Sequence, residues 1–421
     1  MFSTANVPHV ESGVRDWLRA GTVGEAMGVK ALLFERREAR YLAANISSRF
    51  SPGAGASTGP LRLADVDVPE LPAEGWQVLR PRLTGICGSD LATVAGKSSR
   101  YFEPLVSFPF TPGHEVVADL EDGSRVALEP VLGPEARGEA PPFAGAAAGD
   151  AHDYGYLACD HHLDEGIQVG YCASTGGGWG THLVAHQSQL HPVDNSMSDE
   201  AAVMVEPTAT GVHAALRGRI ATGDTVAILG AGTMGLCALA AVDAFTEAGT
   251  AIIGAKYPVQ KDLAAELGAT SVVAPNEMKR AVRRAVGCRM VGDDLAGGAD
   301  VTIDAVGSAE SLAEAISLTR PRGRVVLLGM PGVAKVDLTG LWHREIELAG
   351  SYTYGTEQLD DGSTRSSFDM AFDLVRSARL ERLVSAKYPL ARYREAITHA
   401  AEAGHRGAVK VVFDLRDEKG R

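Results

Sequence analysis

The rhythm of apolar positions changes near residue 225. Before it, short apolar runs stand between long stretches rich in Gly, Pro, Ala and His. Val29-Lys30-Ala31-Leu32-Leu33-Phe34 predicts a strand, Trp76-Gln77-Val78-Leu79-Arg80 alternates as a half-buried one, and Gly123–Leu128 and Trp179–Val193 carry strand patterns. Ser51–Gly59 reads as a loop, and Leu132–Gly178 as a long loop-rich segment. Ser198 with Asp199 and Glu200 behind it marks a helix start. After Thr225, strands at Val226–Leu229, Ala251–Ile253, Ser271–Val273, Val301–Ile303, Val325–Leu328 and Ile346–Ala349 alternate with helices beginning near Met234, Gln260, Asn276, Ala309 and Leu338. That alternation implies a parallel, doubly wound sheet. Phe368–Ser377 and Ala391–Ala403 read as late helices, and Val409–Leu415 as a closing strand.

The expected fold class is therefore α/β with two domains. Residues 1–26 form an N-terminal extension, 27–205 an irregular β-rich domain completed by 346–421, and 206–345 a Rossmann domain. Composition agrees with a soluble globular protein: 421 residues, 45% apolar and 22% charged. The formal net charge of −13 argues against a nucleic-acid partner, because no basic field is present to neutralise phosphate. No apolar run is long enough to span a bilayer, so no membrane partner is expected. Met1–Met27, with Pro8, Glu11, Arg15, Asp16 and Arg19, lacks the apolar centre of a signal peptide, and a cytoplasmic setting is the expectation. The five cysteines, Cys87, Cys159, Cys172, Cys237 and Cys288, are an odd, scattered set and do not suggest a disulfide framework.

The most informative run is Ala227-Ile228-Leu229-Gly230-Ala231-Gly232-Thr233-Met234-Gly235. Gly230, Gly232 and Gly235 follow an apolar strand, precede a helix from Leu236 to Phe245, and fall in the G-x-G-x-x-G spacing. Such glycines allow a tight turn, backbone approach to a pyrophosphate and close helix–strand packing, and the helix start offers unpaired N–H groups to phosphate. With Thr233 and Met234 they are candidate cofactor residues. The turn after the second strand, Gly254-Ala255-Lys256-Tyr257-Pro258-Val259-Gln260-Lys261, holds no acid to bond a ribose 2′-hydroxyl. Lys256 and Lys261 suit a 2′-phosphate instead, so NADP is favoured and NAD stays possible. Read blandly, both lysines are solvated helix-end charges.

Cys87, His114 and Glu115 are candidate ligands of one metal ion, and a thiolate, an imidazole and a carboxylate together suit zinc. Glu206 is a further carboxylate, either a fourth ligand or the group holding a metal-bound water. From spacing alone, a buried Cys87 and a hydrogen-bonded loop His114 is the competing interpretation. Four motifs in order shift the balance: Gly85-Ile86-Cys87-Gly88-Ser89-Asp90, Pro112-Gly113-His114-Glu115, Glu206-Pro207 and the glycine triplet. From about Met27 to Leu415 the chain resembles zinc-dependent medium-chain dehydrogenases, the group of alcohol, polyol, glucose and threonine dehydrogenases.

The resemblance implies a GroES-like catalytic domain beside the Rossmann domain, one catalytic zinc, and hydride transfer between a secondary alcohol or polyol, or its ketone, and NAD(P). It implies a small-molecule partner and a homodimer or homotetramer. Cys87 and His114 are placed as zinc thiolate and imidazole, Glu115 as the glutamate ligand of polyol-type members, and Glu206 where many alcohol dehydrogenases have a second cysteine. Asp90 resembles the carboxylate that orients the histidine, Ser89 the hydroxyl that takes the alcohol proton, and Thr210 the residue packed on the nicotinamide. Two departures stand out. Ala92 occupies the place of a relay histidine, so the proton leaves through water or the cofactor ribose. The four-cysteine pattern of a structural zinc falls on Phe143, Ala146, Gly149 and Leu157, none of which binds metal; a rival register uses Cys159, His162, Glu165 and Cys172. The first register is preferred, and no structural ion is expected. His161, His162, His182, His186 and His191 read as loop and strand histidines; Trp179 edges the substrate site or simply packs; the turn after Asp304 edges the nicotinamide; Lys410 reads as a surface charge. A zinc-free reductase of the quinone-reductase type and a non-catalytic nucleotide-binding relative are the alternatives.

Overall fold

The change of rhythm at residue 225 separates two sheets in the computed structural model, which describes residues 29–157, 162–359 and 361–418. The proposed extension 1–26 and the candidate Cys159 lie outside these residues. The first part runs β1 (Val29–Phe34), α1 (Glu38–Phe50), α2 (Gly55–Thr58), β2 (Leu61–Val66), β3 (Trp76–Gly85), α3 (Gly88–Val94), β4 (Val116–Asp119), β5 (Arg125–Leu128), β6 (Leu183–His186), β7 (Leu190–Pro192), α4 (Asp199–Ala202) and α5 (Val205–Arg217). Next come β8 (Thr225–Leu229), α6 (Thr233–Phe245), β9 (Thr250–Gly254), α7 (Pro258–Glu266), β10 (Ser271–Val273), α8 (Met278–Val286) and the short hairpin β11 (Met290–Val291) and β12 (Asp294–Leu295). β13 (Ala299–Asp304), α9 (Ala309–Leu318), β14 (Thr319–Leu327), α10 (Thr339–His343) and β15 (Glu347–Gly350) complete this part. The return holds β16 (Thr356–Gln358), β17 (Thr364–Ser366), α11 (Ser367–Ala378), β18 (Val384–Tyr388), α12 (Tyr393–Ala401) and β19 (Lys410–Asp414).

The second sheet is all parallel, in the order β10-β9-β8-β13-β14-β15. The order reverses between β8 and β13, the switch point at which doubly wound sheets bind ligands. β8 is buried along its whole length, as a strand covered on both faces must be. β15 pairs with β14, so this sheet extends past the boundary at 345 set from the sequence, as far as Gly350. The other large sheet has the order β18-β19-β3-β4-β5-β7, with β6 paired to the first half of β3. Its β18 and β19 come from the C-terminal return, which is how the late chain rejoins the first domain.

Two local features differ from expectation. The span 35–50, to which the sequence pattern assigns no element, is α1, and the loop after it contains α2. α1 buries Ala44 and Ser48 and turns Leu42, Ile46 and Phe50 outward, at 61%, 50% and 85% exposure. Its large apolar side chains face away from the core, so apolar periodicity does not mark it as a core helix. Secondly, Glu206-Pro207, to which the sequence pattern assigns no element, lies inside a regular helix, α5. Proline is tolerated there because the first turn has no intrahelical acceptor for its missing N–H. α5 packs tightly on α6 through Gly211, where a Cβ would come 2.7 Å from the Cys237 carbonyl carbon. This contact ties the Glu206 helix to the helix after the glycine turn.

Candidate active site

Cys87 follows β3 and stands at the N-cap of α3, where its backbone N–H donates to Asp90 Oδ2 at 3.0 Å. The other oxygen, Asp90 Oδ1, lies 3.5 Å from His114 Nδ1. Both of these atoms are buried and lack a well-formed hydrogen bond. Burial would lower the His114 pKa, but the Asp90 carboxylate outweighs it and raises the imidazole well above its ordinary value. With Nδ1 turned to Asp90, Nε2 is the nitrogen left for a metal. Ligand atoms of Cys87, His114 and Glu115 all lie within 4.8 Å of one another, the one such group among the described residues. A soft thiolate, an imidazole and a carboxylate at this separation fit a divalent zinc, and the orphaned Asp90–His114 pair fits a ligand that still needs fixing.

Glu115 is fully buried, and its position depends on two residues whose contact with it the sequence pattern did not reveal. A Cβ at Gly85 would sit 1.7 Å from Glu115 Oε2, so only glycine leaves space for the carboxylate. Lys410, at the start of β19, donates to both Glu115 oxygens at 2.5 Å and is only 2% exposed. Lys410 is thus no surface charge: β19 pairs with β3 and carries the ammonium beneath the Cys87 turn. Burying an ammonium is tolerable only beside such a partner.

Glu206, near the N-terminus of α5, lies outside the three-residue group but lines the same cleft. Burial raises its pKa to about 7, with His114 pulling down and Glu115 pushing up. Thr210 lies one turn further on, its hydroxyl donating to the Glu206 carbonyl at 3.3 Å, and also faces the cleft. Ser89 lines it from α3. Tyr171, from the loop-rich segment, was not singled out by sequence. Its hydroxyl lies 3.4 Å from Thr93 Oγ1, its ring sits 6.1 Å from His114, and burial raises its phenol.

Across the cleft stands the glycine turn. Gly230 has φ +92°, a conformation that favours glycine, and a Cβ on Gly235 would lie 1.8 Å from the Gly230 carbonyl oxygen. Gly232, the N-cap of α6, faces open space on its Cβ side. The helix begins at Thr233, three residues before the predicted Leu236. Met234 lines the cleft, as do Ala305 and Val306 after β13, from the turn expected to edge a nicotinamide. The cleft between the two parts measures about 1100 Å³. At the end of β9, Ala255 is buried and Lys256 exposed, its ammonium 5.4 Å from the Tyr257 ring; Lys261 is exposed on α7.

The remaining candidates are structural. Trp179 is fully buried, donates to the Gly85 carbonyl at 3.1 Å and packs on Phe413. His191 bonds Glu129 at 2.6 Å and stacks on Phe368, His186 bonds Ser188, and His182 bonds Thr181; His161 lies outside the described residues. Cys172 is buried against the Asp164 carbonyl. Where the four-cysteine pattern would fall, the lobe is fixed by hydrogen bonds. Asp150 accepts from Ala147 and from the backbone and hydroxyl of Thr356, Glu129 accepts from Ala148, and buried Arg137 donates to the Leu132 and Gly166 carbonyls.

The described residues contain no helix long and apolar enough to cross a membrane. Residues 233–368 match the family model for zinc-binding dehydrogenases. The chain is 24% identical over 364 residues to sorbitol dehydrogenase of Bacillus subtilis, covering 82% of this chain and 92% of that protein. It is 25% identical over 367 residues to D-arabitol-phosphate dehydrogenase of Enterococcus avium, covering 84% and 94%. A solved zinc-binding dehydrogenase of Sinorhizobium meliloti bound to NADP shares the fold, with a TM-score of 0.64 and 22% identity over 92% of this chain and 99% of that one.

Proposed function

We propose that this chain is a zinc-dependent medium-chain dehydrogenase that transfers a hydride between a secondary alcohol or polyol, or its ketone, and NAD(P). The observation that carries this reading is the convergence of Cys87 with the adjacent His114 and Glu115, with Cys87 and His114 lining a cleft that Met234, beside the glycine turn, lines as well. Those three residues would hold the zinc, with Glu206 beside them. When bound, zinc supplies a Lewis acid at the substrate oxygen, and the nicotinamide supplies the hydride acceptor or donor. In oxidation the carbinol C–H bond breaks with its electron pair and the O–H proton departs. Ser89 takes that proton, Asp90 fixes the His114 ring, and Thr210 positions the cofactor ring. Lys410 holds the Glu115 carboxylate in place.

NADP is favoured over NAD. Small Ala255 stands where a ribose-binding acid would end β9, and Lys256 follows it on the surface; the Sinorhizobium relative was solved with NADP. A homodimer or homotetramer is also proposed. β15 is the outermost strand of its sheet, with Leu348 exposed on it and Trp342 78% exposed just before it, an apolar edge of the kind that second copies cover.

Zinc content per chain, measured with initial rates in NADP and NAD across a panel of secondary alcohols, tests the proposal. About one zinc per chain, loss of zinc in Cys87→Ala, and faster turnover with NADP are the expected results. Hydride transfer by a zinc-free protein would favour a quinone-reductase-type activity instead. Cofactor binding with no turnover would favour a non-catalytic role.

A further inference from the structure

The wall of the cleft away from the glycine turn is built of rings. Tyr171 lies 6.1 Å from the His114 ring and 5.3 Å from Phe110; Phe110 lies 5.2 Å from Phe34 and 5.4 Å from Phe108; Phe34 lies 6.4 Å from Tyr41 on α1. All six residues line the cleft. The rings therefore form an unbroken run from a candidate zinc ligand to α1, the helix inserted between the paired strands β1 and β2. Leu42, 61% exposed, extends the run at the mouth.

Several of the polar groups along the same wall are already engaged by the protein, while Gln168 and Ser351 also line the cleft. Asn45 donates to the Gly96 carbonyl at 2.8 Å and accepts from Arg49 at 2.9 Å. Tyr41 donates to the Ser98 carbonyl at 3.4 Å. Thr93 donates to the Ser89 carbonyl and pairs with the Ser98 hydroxyl. At the rim Arg36 pairs with Glu103, and Arg37 with Glu35. A polyol would bring several hydroxyls into this space, and each one left unpaired carries a desolvation cost. An apolar body gains from the same surface.

Resting on the oxidoreductase reading above, we infer that the substrate is a secondary alcohol, or its ketone, with a large aryl or long alkyl body laid along the ring run, and not a free sugar alcohol. The carbinol carbon sits at the Cys87–His114 end, and the apolar body points to α1.

The test is calorimetric titration of the zinc-loaded full chain saturated with NADPH, in which alcohols bind without turnover. The probes are 2-butanol, 2-hexanol, 2-octanol, 1-phenylethanol and sorbitol. Kd is expected to fall roughly fourfold per added methylene, with sorbitol weaker than 2-hexanol. Leu42→Ser, at an exposed helix position that leaves folding intact, is expected to weaken 2-octanol about fivefold and to narrow its advantage over 2-butanol. A Kd that stays flat along the series, sorbitol binding as tightly as 2-hexanol, or no alcohol binding at all would overturn the inference. Rates with NADP and the same alcohols separate the two claims. Binding in the expected order without NADPH formation would remove the activity and leave the ligand class standing. Turnover confined to sorbitol would do the reverse.

Discussion

At the residue scale, the decisive contact is Glu115 with Lys410. Removing the ammonium leaves a buried carboxylate without its partner. Lys410→Met is expected to destabilise the protein by about 3–5 kcal/mol, read as a lower urea midpoint. It should also lower zinc content, because Glu115 loses the contact that fixes its carboxylate beside Cys87 and His114. An unchanged midpoint would show that the pair contributes little. Ser89→Ala is expected to lower kcat by about 100-fold while zinc content stays at the wild-type level, since the hydroxyl acts on the substrate proton rather than on the metal. Cys87, His114, Glu115, Glu206 and Asp90 were legible in the sequence because each sits in a short motif. The roles of Lys410 and Gly85 were not. A lysine opening a strand looks the same whether solvent or a carboxylate receives it, and Gly85's role is visible only once Glu115 is folded beneath it.

At the scale of elements, periodicity located the parallel strands well because they are short apolar runs, fully buried at the centre of the sheet as in β8. It missed α1, whose apolar side chains point outward, and could not tell that Glu206-Pro207 opens a helix. The elements are joined by an ionic cluster centred on Asp199 at the start of α4. Arg82 of β3 donates to both its oxygens at 3.0 Å, Arg125 of β5 donates at 2.8 Å, and Arg416 after β19 at 3.3 Å. Burial would raise the Asp199 pKa, but Arg82 and Arg125 outweigh it and hold the carboxyl below its usual range. A depressed folded pKa contributes stability that is present above the unfolded value and is lost as pH falls through the folded one. Asp199→Asn is therefore expected to cost about 2–4 kcal/mol at pH 7, and this difference from wild type should shrink below about pH 4. Urea unfolding of both proteins at pH 7 and pH 3 checks it; a difference independent of pH would point to packing alone.

At the scale of the whole molecule, function depends on two sheets facing one cleft. The proposed ligands Cys87 and His114 line one side, and Met234, Ala305 and Val306 line the other. The metal side binds in competition with protons, because Cys87 must lose one and His114 has a raised affinity for one. Zinc retention during dialysis against a chelator is expected to fall as pH is lowered from 8 toward about 5, followed by metal analysis at each pH. Equal retention throughout would argue that the thiolate and imidazole are not the ligands. On the cofactor side, Lys256→Ala is expected to raise KM for NADP roughly tenfold with little change for NAD, consistent with a lost phosphate contact. Equal effects on both cofactors would make Lys256 an ordinary helix-end charge.

The reach of the Glu115–Lys410 pair has one more consequence. Its partners lie 295 residues apart, with the entire parallel sheet between them in sequence. A chain that has built only its earlier strands holds the thiolate, imidazole and carboxylate but not the counter-charge that settles the carboxylate. On the proposed zinc assignment, molecules cut short or misassembled at the far end are expected to take up the ion more weakly than the complete chain.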